Sequence, residues 1–560
     1  MSWVAQVKEK LQDKLVLALE AAKAAGEISY QELPGFIIET PKDKNHGDFA
    51  TNLAILLAKQ AQQNPRQIAQ IICNNFNKEN SWVENTEVAG PGFINFYLKP
   101  GWLSPGLREL LQKGSSFGDS LVGAGKKIQV EFVSANPTGE LHMGNARGAA
   151  IGDTLANILA AAGYTVEREF YINDAGNQIE KFGLSLEARY LQLLGEDAPF
   201  PEDGYHGGDI TQTMQQVINI SGDKYKNMES ALRREYLTCY ALEQKISAAK
   251  TVLAEFGVEY DVWFSEQTLH DSGAVSAIIT ELLEAGKAYE ENGTIWFKAT
   301  DFGIEKDEVL VRANGIPTYY AADIAYHKNK FKRGFDKVIN IWGADHHGHV
   351  ARLKAGIQAV GYEPERLQVI LMQLVRLLSD GEVLRMSKRA GTYVTLQELI
   401  KEVGVDAARF FFVMRNADSQ MDFDLDLAKS QSVDNPVFYV QYAHARISSI
   451  IETAKAEGQA KGASAEANLD LLLEPVEMNL IRKLLDLPDE IAYAAATTSP
   501  HHIITYVMDL ASFFHSFYNS CRVLGEDPEL MAARLALCKA TAICTAKCLK
   551  IVGVSAPTKM

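Results

Sequence analysis

The chain has 560 residues, of which 47% are hydrophobic and 22% are charged, and a chain of this length is expected to form three or four globular domains. The net charge of −16 argues against sequence-independent nucleic-acid binding through an overall positive field. No apolar run approaches the ~20 residues that cross a bilayer, and the start of the sequence is typical of an amphipathic helix rather than of a signal peptide, so we expect a cytoplasmic protein without a membrane partner.

Residues 1–112 are predicted to form an α+β unit. Asp48 precedes apolar residues at helical spacing, which favours a helix capped by its carboxylate. Further on, NTEVAGPGFINFYLKP predicts a β-hairpin with Phe93, Asn95 and Tyr97 on one face of its second strand. We expect that face to be open to water, where an aromatic ring beside an amide suits an unpaired RNA base, although Phe93 fits a small core equally well.

Residues 122–430 show alternating strand and helix patterns. KIQVEFVSA and TVEREFYIND are predicted strands, and a helix rich in small residues lies between them. This order predicts a Rossmann-like parallel sheet of the α/β class with a right-handed crossover. A polar, mostly helical stretch at 176–285 is predicted to interrupt the sheet as an insertion, after which the alternation resumes.

Residues 431–560 are predicted to be all-α, because apolar residues recur there at i, i+3 and i+4. One of these helices carries Tyr439, Tyr442 and Arg446. Interleaved aromatic and basic side chains suit single-stranded RNA, but core packing explains Tyr439 as well.

Two groups of residues resemble metal ligands, and in both cases we favour another interpretation. Cys544 and Cys548 are spaced i, i+4, but no second ligand pair with zinc spacing follows them, so we predict buried small side chains. His346, His347 and His349 lie close together in WGADHHGHV, but adjacent histidines rarely point at one ion. No metal site is therefore predicted.

The segment EFVSANPTGELHMGNARG joins a predicted strand to a predicted helix. The helix is expected to begin near Gly144, where unpaired N–H groups and the helix dipole favour an anion. His142 and Asn145 add side-chain donors at that point, and together they suit the phosphates of a nucleotide. The alternative is an ordinary helix start with capping residues and a buried histidine.

A second segment, LRMSKRAGTYV, carries Arg385, Lys388 and Arg389 beside a glycine. A basic, glycine-bearing loop after a strand is suited to closing over a triphosphate, with Lys388 neutralising the departing pyrophosphate. In isolation such a run is more commonly a solvated turn.

Together, HMGN and RMSKR resemble the paired signature of class I aminoacyl-tRNA synthetases, whose usual forms are His-x-Gly-His and Lys-Met-Ser-Lys-Ser. SANPTGELHMGNARG is closer still to the form found in bacterial-type arginyl-tRNA synthetases. HGDFATNLA and GPGFINFYL resemble that family's N-terminal additional domain, and VFYVQYAHARI and VGVSAPTKM resemble its C-terminal anticodon-binding domain. Two positions depart from the signature: Asn145 replaces its second histidine and Arg385 its first lysine.

The resemblance implies a Rossmann-type catalytic domain between an N-terminal additional domain and a C-terminal helical-bundle domain. It also implies that L-arginine and ATP give arginyl-adenylate and pyrophosphate, and that arginine then passes to the 3′ end of tRNA(Arg) with release of AMP. Mg²⁺ would accompany the nucleotide and be held mostly by substrate and water. We expect a monomer.

The site residues implied by the resemblance fall into three groups. For ATP they are His142, Gly144, Asn145, Gly343, Asp345, His347, Met386, Ser387 and Lys388, of which His142, Asn145 and Lys388 would be catalytic. For arginine they are Glu131, Ser134, Asn136, Tyr319 and Asp323. For tRNA they are Phe93 and Asn95 at the D-loop, and Tyr439, Tyr442 and Arg446 at the anticodon.

Two other functions remain possible at this point. An ATP-using nucleotidyltransferase or ligase of the same fold would not need the long helical C-terminal region. A non-catalytic RNA-binding relative of a synthetase would not need His142, Lys388 and Asp323.

Overall fold

The computed structural model describes residues 2–41, 43–384, 394–458 and 464–560. The first unit contains α1 (Trp3–Ala24), β1 (Ile38–Glu39), β2 (Phe49–Thr51), α2 (Leu53–Ala61), α3 (Pro65–Asn75), β3 (Val83–Ala89), β4 (Phe93–Leu98) and α4 (Ser104–Lys113). Its four strands form an antiparallel sheet in the order β1-β2-β4-β3, and the predicted hairpin is confirmed as the pair β3 and β4.

The prediction that Asp48 caps a helix is wrong. Helix α2 starts only at Leu53, and Asn52 stands at its N-cap position. Asp48 instead accepts a hydrogen bond from the backbone N–H of Leu98 at 2.7 Å and pairs with Arg482 of the C-terminal region. The carboxylate therefore ties β4 to a distant helix, a contact that local sequence spacing does not reveal.

The central region begins with β5 (Lys127–Glu131), α5 (Met143–Ala161), β6 (Thr165–Ile172), α6 (Asn177–Leu193), α7 (Gly208–Ser221), α8 (Ser230–Glu255), β7 (Val262–Ser265), α9 (Gln267–Asp271) and α10 (Ala274–Glu284). It continues with β8 (Ala288–Glu291), β9 (Thr294–Phe297), β10 (Glu308–Val311), α11 (Tyr319–Lys332), β11 (Lys337–Gly343), α12 (His347–Ala359) and β12 (Leu367–Met372). It ends with β13 (Val375–Ser379), β14 (Glu382–Leu384), α13 (Leu396–Val403), α14 (Val405–Val413), β15 (Met421–Asp424) and α15 (Leu425–Lys429).

Five of these strands form the predicted parallel sheet, in the order β12-β11-β5-β6-β7. The chain runs from β5 outward to β6 and later returns to the other side of β5 as β11. The loops that follow β5 and β11 therefore leave the sheet in opposite directions, which opens a crevice at the carboxyl ends of these two strands. The α/β fold class predicted from the sequence is confirmed.

The predicted helical insertion at 176–285 is only partly correct. Helices α6, α7 and α8 do form a unit with its own small core, but β7 follows them and pairs in parallel with β6 as the edge of the main sheet. The strands β8, β9 and β10, expected to continue the main sheet, form a separate three-stranded antiparallel sheet. β7 has only four residues, all half-buried, so its sequence lacks a strong strand pattern.

Helix α5 packs against the strand that precedes it because of its small residues. Gly152 lies so close to the ring of the buried Phe132 that a Cβ there would stand 2.2 Å from a ring carbon. A Cβ added at Gly148 would lie 3.6 Å from the nearest atom of Met372, which is an ordinary contact distance. Gly152 thus sets how closely α5, and with it His142, approaches the sheet.

The last region is all-α, as predicted. Its helices are α16 (Pro436–Ala456), α17 (Pro475–Leu485), α18 (Leu487–Thr497), α19 (His501–Ser520) and α20 (Pro528–Val552). Across the described residues, no helix combines the length and the apolar character that a membrane span requires.

A fully buried arginine joins the C-terminal helices to the parallel sheet. The guanidinium of Arg409 donates to the carbonyl of Val552 at the end of α20 and to that of Phe256 after α8, at 2.8 and 3.0 Å. It also pairs with Asp153 of α5 at 2.5 Å. One side chain thus fastens two helix ends, where the dipoles are negative, to the helix that starts at the crevice.

The contact of Gly152 with Phe132 predicts opposite effects for two alanine substitutions in α5. Gly152→Ala should lower the free energy of unfolding by about 1–3 kcal/mol, because the added methyl overpacks the sheet interface. Gly148→Ala is the matched control, and helix propensity should leave its stability unchanged or raise it by up to about 1 kcal/mol. Denaturant unfolding of both variants checks this, and equal stabilities would contradict the packing described here.

Candidate active site

The crevice is a cleft of about 2180 Å³, several times the volume that a drug-sized ligand occupies. Nine predicted site residues line it: Glu131, Ser134, Asn136, His142, Asn145, Tyr319, Asp323, Gly343 and Asp345. Gly144 and His347 are not among its lining residues. The structure therefore brings nine of the fourteen residues predicted for ATP and arginine to one site, although they come from separate segments of the chain.

The backbone after β5 is strained where it enters the cleft. Val133 and Ser134 have φ angles of 71° and 40°, in the left-handed region that non-glycine residues rarely adopt. The hydroxyl of Ser134 donates to Glu131 at 2.8 Å and accepts from the backbone N–H of Tyr171 at 3.2 Å. These bonds hold the loop against the end of the neighbouring strand β6, so the position of Glu131 is fixed by tertiary contacts.

His142 and Asn145 form a reciprocal cap at the start of α5. His142 Nδ1 accepts from the N–H of Gly144 at 3.1 Å, and Asn145 Oδ1 accepts from the N–H of His142 at 3.0 Å. The capping part of the alternative is thus correct, but His142 is half-buried rather than buried, and both capping side chains also line the cleft. Because the amide oxygen of Asn145 is committed to the cap, its NH₂ group is the donor available to a ligand.

Gly144 gives the capping imidazole of His142 the space that it needs. A Cβ at Gly144 would lie 3.0 Å from the imidazole of His142. The missing side chain therefore makes room for the histidine ring to fold over the first turn of α5.

The predicted residues Met386, Ser387 and Lys388 lie outside the described part of the chain. The residues that follow them pair directly with the start of α5. The N–H of Met143 donates to Val394 O at 3.2 Å, and the N–H of Leu396 donates to Leu141 O at 2.8 Å. The segment that leads away from the basic motif is therefore anchored beside His142, while the position of Lys388 itself stays a prediction.

Acidic side chains line another part of the cleft. One carboxylate oxygen of Asp323 accepts from His349 Nε2 at 2.7 Å. Burial raises the pKa of Glu266 above its usual value; a hydrogen bond from Tyr171 opposes this shift, and the charge of Asp323 adds to it. No lysine or arginine in the described residues forms an ion pair with either carboxylate. This part of the cleft is therefore suited to a cationic ligand.

Other predicted residues take less constrained positions. Tyr319 is 62% exposed at the start of α11, with its ring 5.6 Å from that of His349. The exposed carboxylate of Asp345 folds back over Gly343, where a Cβ would stand 2.4 Å from Oδ1. His347 is exposed away from the cleft, and His346 and His349 line it instead.

The described residues contain no group of three or more His, Cys, Asp or Glu side chains arranged to hold a metal ion. Cys544 and Cys548 are fully buried within α20, as expected for small packing residues, and burial raises the pKa of each thiol.

Comparison with known proteins covers the whole chain. Family models match in three consecutive parts: "Arginyl tRNA synthetase N terminal domain" at 6–98, "tRNA synthetases class I (R), catalytic domain" at 107–450 and "DALR anticodon binding domain" at 440–560. The arginine–tRNA ligase of Moorella thermoacetica is 60% identical over 560 residues, and that of Heliobacterium modesticaldum is 59% identical over 564, each covering 100% of both chains.

The chain belongs to the arginyl-tRNA synthetase family.

A solved structure of the same family has the same fold. The Thermus thermophilus arginyl-tRNA synthetase matches with a TM-score of 0.72 at 23% identity, covering 99% of this chain and 100% of that one. The class I resemblance carried by HMGN and RMSKR is confirmed by the catalytic-domain model at 107–450 and by the full-length relatives.

The surface expected at the tRNA D-loop is less open than the sequence suggested. Phe93 is half-buried and Asn95 is only 3% exposed, so the prediction that this face is wet is wrong for Asn95. The reason is that β4 is an interior strand, flanked by β2 and β3. Tyr97 on the same face donates its hydroxyl proton to oxygens of Asn45 or Glu87, each at 2.9 Å.

The residues predicted to contact the anticodon lie on a mixed surface of α16 and α19. Arg446 donates to the hydroxyl of Tyr442 at 3.1 Å and lies 4.4 Å from the ring centre of Tyr518. Tyr439 packs partly against the core and has its ring 4.9 Å from that of His515. The packing alternative is therefore correct for Tyr439, and α19 contributes Tyr518 and His515, which the sequence analysis did not single out.

The sequence analysis missed two residues of the acidic part of the cleft. His349 stood within the histidine run, but nothing in the run indicated that it would pair with Asp323. Glu266 follows β7 directly, and it was missed because the region was interpreted as a helical insertion. Had β7 been recognised as a sheet strand, a carboxylate at its carboxyl end would have been a site candidate.

The cap at the start of α5 predicts different outcomes for two substitutions of Asn145. Asn145→Asp keeps an oxygen for the N–H of His142 and adds favourable charge at a helix N-terminus, so its melting temperature should be preserved. It loses the NH₂ donor, so the rate of ATP–pyrophosphate exchange with arginine and tRNA should fall by about 10–150-fold. Asn145→Ala should lose about 1 kcal/mol of stability as well as activity.

The two variants separate the capping role of Asn145 from its donor role. An aspartate variant with full exchange activity, beside an inactive alanine variant, would show that Asn145 acts only as a cap.

Proposed function

We propose that this chain joins L-arginine to tRNA(Arg) in two steps within the cleft. The arginine carboxylate attacks the α-phosphorus of ATP, forming arginyl-adenylate and releasing pyrophosphate. The 2′-hydroxyl of the terminal tRNA adenosine then takes the arginyl group, and AMP leaves. The observation that carries this proposal is that one cleft is lined both by the start of α5, at His142 and Asn145, and by the carboxylates of the half-buried Asp323 and the buried Glu266.

Recognition of arginine is assigned to the acidic part of the cleft. A guanidinium presents its N–H donors in a plane and is best held by carboxylates in a fork geometry. His349 occupies one oxygen of Asp323, which leaves the other oxygen for the substrate. Glu266 supplies a second acceptor, and Glu131 with Asn136 lies in the same cleft to hold the α-amino end.

The activation step is assigned to the start of α5. In this proposal His142 and Asn145 hold phosphate oxygens near the α-position, and Lys388 neutralises the leaving pyrophosphate. Gly343 and Asp345, after the neighbouring strand β11, are assigned to the adenosine. No covalent enzyme intermediate is needed, because positioning and charge stabilisation can supply the catalysis.

Magnesium would reach the site bound to ATP, where it neutralises phosphate charge. We assign its coordination mostly to ATP and water, since no metal-binding cluster is found among the described residues.

The tRNA is assigned to two surfaces outside the cleft. Tyr442 and Arg446, with Tyr518 beside them, are suited to stacking against unpaired anticodon bases. Phe93 is the better candidate for the D-loop, since Asn95 is buried. We further propose that the enzyme acts in the cytoplasm as a monomer.

The direct test is ATP–pyrophosphate exchange and aminoacylation with purified protein. Exchange should depend on arginine and be stimulated by tRNA(Arg), and the tRNA should become charged. Exchange with a different amino acid but not with arginine would overturn the substrate assignment. Absence of both activities, with RNA binding intact, would favour the non-catalytic alternative.

Two substitutions should separate effects on arginine binding from effects on the activation step. Asp323→Asn should raise the KM for arginine by about 10–150-fold, the effect of losing a hydrogen bond to a charged group, with the KM for ATP unchanged. Lys388→Ala should instead lower kcat strongly, while the KM for arginine stays close to that of the unsubstituted enzyme. Steady-state exchange kinetics measure both, and an unchanged arginine KM in Asp323→Asn would contradict its role.

A further inference from the structure

A fully buried lysine lies beneath the arginine end of the proposed site. Lys330 of α11 is 0% exposed, and its ammonium pairs with Glu131 at 2.5 Å. It also lies 4.3 Å from the ring centre of Tyr326. Lysine is almost never fully buried unless its charge is compensated, and here Glu131 compensates it. A buried ion pair adds little to stability compared with apolar packing, so Lys330 is a candidate for a role beyond packing.

From the ammonium of Lys330 a chain of hydrogen bonds leads back to α11. Lys330 donates to Asn340 Oδ1 at 3.2 Å, and Asn340 Nδ2 donates to His327 Nε2 at 2.8 Å. Burial holds the pKa of His327 well below its usual value, so the ring is neutral. With Nε2 accepting, the proton is on Nδ1, which donates to the carbonyl of Asp323 at 2.8 Å.

Each donor in this series of hydrogen bonds points from the ammonium of Lys330 towards Asp323. Bonds aligned in one direction polarise one another, and inside a protein a fully satisfied network specifies one geometry. The network joins three elements beside the cleft, because Glu131 ends β5, Asn340 is its neighbour on β11, and His327 lies on α11. Lys330 therefore bonds directly to Glu131 and is linked to the backbone carbonyl of Asp323 through Asn340 and His327.

The same pairing decides where negative charge is left uncompensated. Lys330 neutralises Glu131, whereas no described lysine or arginine pairs with Asp323 or Glu266. Arginine carries a cation at each end, an α-ammonium and a guanidinium. Asp323 and Glu266 have histidines, His349 and His270, as their basic partners. Their carboxylates therefore attract a guanidinium more strongly than the lysine-paired Glu131 does, which favours the orientation with the guanidinium at Asp323 and Glu266.

We propose that Lys330 is a positioning residue for arginine recognition. It cancels the charge of Glu131 and, through Asn340 and His327, holds the backbone at Asp323, and so it directs the guanidinium towards Asp323. This inference rests on the proposed function, and Lys330 itself does not touch the substrate.

The first test replaces Lys330 by a neutral side chain of similar length. Lys330→Met should raise the KM for arginine at least tenfold, while the KM for ATP stays within twofold and kcat changes less than the arginine KM. The matched control is Arg534→Met, which breaks a buried ion pair with Glu477 (2.7 Å) in the C-terminal helices. The control should lose a similar amount of thermal stability but keep its arginine KM.

A second comparison tests whether Lys330 acts through Glu131. The double variant Lys330→Met/Glu131→Gln leaves no buried charge unpaired. The fold-increase in its arginine KM should therefore be much smaller than the product of the fold-increases in the two single variants. Single effects that simply multiply would show that the two residues act independently and would overturn the proposal.

A third variant guards against loss of folding. Asn340→Ser keeps the ion pair but interrupts the chain to His327, and it should raise the arginine KM several-fold with the ATP KM unchanged. If the Lys330→Met and Asn340→Ser enzymes both fold and both keep the original arginine KM, the proposal is wrong. If only one of them folds, an unchanged arginine KM in that variant contradicts the proposal and a raised one supports it. An unsubstituted enzyme without arginine-dependent exchange would instead refute the proposed function.

Discussion

The site depends on the parallel pairing of β5 with β11 in the middle of the sheet. In this register Asn340 lies beside Glu131, and both strands end at the same crevice. Helix α5 leaves β5 on one side of that crevice, and the loop with Asp345 leaves β11 on the other. Because the chain changes direction there, an anion-binding helix start and an acidic subsite come to share one cleft, although no single sequence segment contains both.

The residues at the start of α5 combine a capping role with a position in the cleft. His142 and Asn145 satisfy each other's backbone as a cap and line the cleft as well. The oxygen of Asn145 performs the capping, so its NH₂ is left as a donor without a titrating group. This division gives a physical reason why an amide can stand where the family signature usually has a histidine. Gly152 keeps the same helix close to the sheet, and Arg409 fastens it to the ends of α8 and α20.

Features that local sequence determines were predictable. The periodicity of β5, α5 and β6 predicted the parallel sheet, and the HMGN and RMSKR segments identified the family. Features that arise from long-range pairing were not predictable. The four-residue β7 was hidden in a predicted insertion, and Glu266 was missed with it. Asp48 was assigned a local cap but bonds to Arg482, and Asn95 was expected to be wet but lies on an interior strand. The network of Lys330 joins residues from three separate elements, and nothing in the spacing of those residues along the chain indicates that they meet.

The central claim is that arginine and the nucleotide meet in this one cleft, with the guanidinium at the acidic end and the phosphate at the start of α5. A crystal structure with a non-hydrolysable analogue of arginyl-adenylate tests it most directly. The account predicts the guanidinium within hydrogen-bond distance of Asp323 and Glu266, and the phosphate mimic beside His142 and Asn145. An analogue bound in the reverse orientation, or outside the cleft, would contradict the account.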